Sequence, residues 1–225
     1  MTRSRYQTRC IVSALMLFLT VSLAFSDETF DKLMEAKNYA EALTYAEKKI
    51  PTTSRDAATW VKIGRANLET GLTEKALACY LVATRMDAKN YEALLGTAKV
   101  YNSLNQAANA APAAKKALDV NFTAEASWEY ARACIALNKP ADAKKALEKV
   151  VEADPANITA VKELGIILYN EKSYPKALEL LKAVYAKQPD GVLALKIGMA
   201  SPPESAIVYI KMAKEKKPTS VDASF

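Results

Sequence analysis

Three cations recur at near-constant separation along the chain: Arg65, Lys99 and Arg132, 34 and 33 residues apart, with Ile166 at the next step. A row of such groups suits the reading of carboxylates. Arginine donates two parallel N–H bonds to one carboxylate, and lysine supplies a compact charge. Trp128 and Tyr169 are placed to add apolar contact beside that row, and Asn102 to add an amide. The competing reading makes the cations solvated side chains paired with nearby acids such as Glu69, Glu92 and Glu125.

Other chemistry finds little footing. The chain has no histidine, so Ser-His-Asp and Cys-His catalysis and histidine-ligated zinc are excluded. No glycine-rich phosphate loop or CxxC pair occurs, and the acidic residues show no isolated pair in an apolar setting. Catalytic residues, cofactors and metals are therefore not expected. Of the three cysteines, Cys10 lies in the first residues, while Cys79 and Cys134 read as small buried side chains rather than a disulfide.

Residues 1–26 read as a signal peptide. Arg3, Arg5 and Arg9 precede an uncharged run from Ile11 to Phe25, with small residues at Ala24 and Ser26, or Ser22 and Ala24, for cleavage. The run is shorter than the roughly 18 residues that span a bilayer as a helix. A retained leader acting as an anchor is the alternative, and the only route to a membrane. Without those three arginines the net charge falls well below the +6 of the whole chain, and no basic stripe for nucleic acid remains.

The elements that position the cations are set by an internal period. Gly64, Ala98, Ala131 and Gly165 form one series of small residues, and Ala42, Ala76, Ala110, Ala143 and Ala177 a second, both stepping by 33 or 34. Few glycines and abundant Ala, Leu, Lys and Glu favour helices. Each unit then reads as two antiparallel helices, with the small residue of the first facing the small residue of the second. Gly71 serves as the turn between them, and Pro155 and Pro189 stop second helices.

The stretch from Trp60 to Gly64 with Gly71, Ala76, Tyr80 and Ala83 resembles the tetratricopeptide repeat signature. Leu164, Gly165, Leu168, Tyr174, Ala177, Leu181 and Pro189 match it again. The resemblance implies an all-α solenoid of about six stacked helix-turn-helix repeats over residues 27–217, at about 27–55, 56–90, 91–123, 124–157, 158–190 and 191–217. The first and last are truncated, and 218–225 form a loose tail. Expected helices are 27–37, 39–49, 56–69, 73–86, 90–104, 109–120, 123–137, 140–153, 157–171, 174–187, 191–200 and 203–216. Asn109 is expected to cap a late-starting helix that holds Pro112 in its first turn, a kinked helix being the alternative. The last unit is expected to lose residues from the start of its first helix.

Members of this family generally act as protein-interaction modules. The resemblance implies a scaffold or adaptor, with a partner peptide or helix in a groove lined by first helices and by Arg65, Lys99, Asn102, Trp128, Arg132 and Tyr169. With the leader, it implies a secreted or periplasmic protein. A membrane-anchored assembly factor and a carboxylate-based hydrolase are the competing readings. The partner and the oligomeric state are not legible.

Overall fold

The computed structural model describes residues 27–215, so the leader and the tail lie outside the described residues. Twelve α-helices follow in order: α1 (Glu28–Glu35), α2 (Tyr39–Lys49), α3 (Ala57–Glu69), α4 (Thr73–Met86), α5 (Tyr91–Ser103), α6 (Ala107–Val120), α7 (Ala124–Ala136), α8 (Pro140–Ala153), α9 (Ile158–Asn170), α10 (Tyr174–Lys187), α11 (Gly191–Ala200) and α12 (Pro203–Glu215). No strand occurs among the described residues. The chain divides into two compact units, one ending at Ala88 and the other starting at Lys89. In the first, α1 to α4 pack in sequence; in the second, α5 to α12 do the same, and α5 also meets α7.

The helices start in two different ways. The first N–H groups of the odd-numbered helices need an acceptor outside the helix. Asp27, Asp56, Asn90, Thr123, Asn157 and Asp190 supply one, each side chain accepting from a backbone N–H two or three residues on. The Asp56 carboxyl is held below its ordinary value chiefly by its bonding to Thr59, against the opposing pull of burial. Even-numbered helices α2 to α10 begin straight after a tight turn and use no such cap. Each turn carries one residue at positive φ, at Lys37, Gly71, Asn105, Asn138 and Lys172, 33 or 34 apart. The residue after it donates back five positions, as Leu72 N does to Asn67 O at 2.8 Å, closing the preceding helix. Gly71 takes this role as expected; at the other turns, residues that bear a Cβ hold the left-handed conformation at some cost.

The interior confirms the small-residue series and shows which large side chains fill the space beside it. Ala42, Ala76, Ala110, Ala143 and Ala177 are all fully buried. The space beside Gly64 and Gly165 is filled by a large side chain sixteen residues on, and beside Gly198 by Ile210, twelve residues on. A Cβ on Gly64 would lie 3.0 Å from the Tyr80 ring, and one on Gly165 only 2.6 Å from Leu181 Cδ2. The same register pairs Phe30 with Ala46, Ala98 with Ala114 and Ala131 with Leu147, all buried. Phe30, which breaks the small-residue series, shares its core cluster with Ala46. Bulk on one helix is matched by its lack on the other, except at Ala98 and Ala114, where both are small.

Two expectations fail for reasons rooted in proline. Helix α6 starts at Ala107 behind Gln106, so Asn109 is inside it and caps nothing; Pro112 sits within the helix. Its ring and Ala108, whose carbonyl loses its usual donor, both lie on the exposed face, where water can satisfy that carbonyl. In the last hairpin, α11 starts in register behind Asp190, and Gly198 continues the first-helix series 33 beyond Gly165. The shortening is at the end of α11, because Pro202 and Pro203 cannot continue a helix, and α12 begins at Pro203.

Candidate functional site

Arg65 belongs to α3 of the first unit and is exposed there, with no ion pair to any described residue. The other five residues lie on first helices of the second unit: Lys99 and Asn102 on α5, Trp128 and Arg132 on α7, Tyr169 on α9. Successive first helices are bound to one another through their polar groups. Lys99 pairs with Glu125 across α5 and α7, and Tyr91 hydroxyl meets Thr123 hydroxyl at 2.5 Å.

The centre of this face is a residue that the repeat spacing does not single out, Glu129. Its side chain is only 7% exposed. Asn102 Nδ2 donates to Glu129 Oε2 at 2.7 Å and to its backbone oxygen at 2.8 Å, and Arg132 Nη1 lies 3.2 Å from Oε2. A buried carboxylate demands partners of this kind. The signal was present: Glu129 and Arg132 stand three apart, which places them on one helical face.

Two of the three cations thus carry internal counter-ions. Glu125 is one of the acids named for that role; Glu129 is a new one. Trp128 is half-buried against the core around Ala131 and Leu164 rather than standing free, and Tyr169 packs on the same cluster. Trp60 and Tyr80 lie with the core of the first unit, where Arg55 sits 4.9 Å over the Trp60 ring.

Further along, the face changes character. Met199 on α11 occupies the step after Ile166 in the cation series, 33 residues on. It is 64% exposed, and Leu195, one turn earlier, is 43% exposed. Tyr169 hydroxyl donates to Met199 Sδ at 3.8 Å, and Lys196 Nζ stands 5.1 Å over the Tyr169 ring. Lys162 lies 3.8 Å from Asp190. The series therefore runs from charged and paired at Lys99 and Arg132 to apolar at Ile166 and Met199.

Neither thiol among the described residues is set up as a nucleophile. Cys79 and Cys134 are both free and buried, and burial raises the pKa of each, which disfavours the thiolate. Tyr130, hydrogen-bonded to Cys134, is pushed up to about 12, mainly by burial. Among the described residues no group of three or more Cys, Asp or Glu side chains is placed to hold a metal.

A family model described as "Tetratricopeptide repeat" matches three overlapping stretches, residues 61–126, 97–158 and 131–192. No curated protein matches the chain. Among solved structures, one titled "Crystal structure of YrrB: a TPR protein with an unusual peptide-binding site" is 20% identical, with a TM-score of 0.67 over 81% of this chain and 93% of that one. The MamA protein is 23% identical, with a TM-score of 0.61 over 71% and 90%. A tetratricopeptide repeat protein from Parabacteroides merdae is 16% identical, with a TM-score of 0.54 over 87% and 81%. At these identities the likeness is one of fold.

The buried and exposed pairs of this face are expected to behave differently. Asn102→Ala strips a donor from buried Glu129 and should lower the unfolding free energy by about 1–3 kcal/mol. Lys99→Ala, at a solvent-facing pair, should change it by no more than about 0.5 kcal/mol. Chemical denaturation of the two variants checks the contrast.

Proposed function

Since the chain belongs to the tetratricopeptide repeat family, we propose that it is a protein-interaction scaffold whose partner, a peptide or helix, lies along the first helices of the second unit. The observation that carries this reading is the passage along that face from internally paired charges to exposed apolar side chains at Leu195 and Met199. Solvent-exposed methionine and leucine at adjoining turns are what a partner's apolar side chains can cover. The neighbour titled as having a peptide-binding site lends the reading support by fold.

The acidic-peptide version is the weaker of two. A ligand carboxylate reaching Lys99 must displace Glu125, and one reaching Arg132 must share it with Glu129. The partner we infer contributes apolar anchors first and carboxylates second. Selection of a displayed random-peptide library on the immobilised protein should enrich apolar residues at helical or alternating spacing. Met199→Asp should weaken the selected peptides at least about tenfold, and Arg132→Ala less than about threefold. Enrichment of acidic peptides that depend on Lys99 and Arg132 but not Met199 would reverse the assignment.

A cell-envelope or extracellular location is the accompanying proposal, supported by the charge and hydropathy pattern of residues 1–26. Edman or mass-spectrometric sequencing of the mature protein should find Asp27 as its first residue. A chain that retains Arg3 to Phe25 would favour the anchored assembly factor.

A further inference from the structure

Helix α12 presents an outward stripe that no described residue covers. Glu204, Ile207, Val208, Lys211 and Met212 recur at three- and four-residue spacing and are all exposed. Ile207 is 59% exposed and Val208 49%. The opposite side of the helix does the packing. Tyr209 meets Tyr185 edge-on at 6.0 Å, and Ile210 lies against Gly198, where a Cβ would come within 3.0 Å of it. In the second unit α6, α8 and α10 each pack against the first helix of the next hairpin. Among the described residues nothing follows α12 to do so.

We propose that this stripe pairs with the same stripe of a second copy, the two α12 helices lying antiparallel about a two-fold axis. A two-fold interface requires a surface complementary to itself. Turned end for end about the midpoint of Ile207 and Val208, the stripe sets Ile207 against Val208 of the other copy. The same rotation sets Glu204 against Lys211, twice over. Charge order along the helix therefore specifies antiparallel pairing, since a parallel arrangement in register brings Glu204 to Glu204 and Lys211 to Lys211. Met212 flanks the contact, its sulfur already 3.7 Å from Tyr185 hydroxyl. One helix face per copy buries less than the roughly 1,200 Å² at the lower end of stable complexes. The dimer is accordingly weak, with a Kd of about 10–100 μM.

Sedimentation equilibrium of the purified protein tests this. The wild type should pass from monomer to dimer over that range, and Val208→Asp should weaken the dimer at least about tenfold. Since Val208 is exposed, the fold should be retained, which circular dichroism verifies. Glu204→Lys and Lys211→Glu should each be more monomeric than wild type, yet associate when mixed, because the mixed dimer restores both charge pairs. A protein that stays monomeric at about 1 mM overturns the proposal and leaves the stripe to another protein or to residues 216–225. So does a dimer indifferent to Val208→Asp, or a pair of charge variants that fail to associate on mixing.

Discussion

The close approach of the two helices in each hairpin is the constraint from which the rest follows. A helical hairpin has no sheet to organise it; neighbouring helices must fill one another's surfaces at crystal-like density. The chain solves this by matching volumes at one register. Glycine on α3 accepts the Tyr80 ring, glycine on α9 accepts Leu181, and Phe30 on α1 stands with Ala46. Where neither helix carries bulk, as at Ala98 and Ala114, both are alanine. Each hairpin is thereby set by its own pair, and the repeat tolerates different pairs in different units. The turn that closes it is equally local, one left-handed residue and one bond back across five positions.

Much of this was legible in the chain. The spacing of small residues marked the hairpins, and helix ends could be placed because Asp, Asn and Thr stand before first helices and proline after second ones. What the period hid was the partner of each small residue. A constant interval of twelve marked where the helices come close, but not the large side chains that fill the space there, Tyr80 beside Gly64 and Leu181 beside Gly165. Proline misled in two directions. At Pro112 an exposed ring and an exposed Ala108 carbonyl let a helix continue through it, and at Pro202 and Pro203 the pair ended α11 early. Neither outcome follows from the period alone; each depends on which face the proline occupies and on how many there are in succession.

The candidate face shows the same division. The cation series was visible from spacing, but spacing says nothing of the counter-ions, Glu125 from the next first helix for Lys99 and Glu129 from the same helix for Arg132. Glu125 and Glu129 both reach back from α7 to α5, so Lys99 and Asn102 help hold first helices together, while Arg132 pairs with Glu129 within α7. On the first helices of the second unit the exposed apolar side chains lie later, at Leu195 and Met199, because the series loses its cations at Ile166. Those α11 side chains and the α12 stripe lie on different helices and serve different proposed partners, one a peptide or helix and the other a second copy.

A double-mutant cycle at Gly165 and Leu181 tests volume matching most directly. Gly165→Ala alone places a methyl group 2.6 Å from Leu181 Cδ2, in a core where Leu181 is fully buried, and should lower the unfolding free energy by about 1–2 kcal/mol despite the better helix propensity of alanine. In a Leu181→Ala background the space is open, and the same change should stabilise by up to about 1 kcal/mol. A Gly165→Ala effect of equal sign and size in both backgrounds would contradict volume matching.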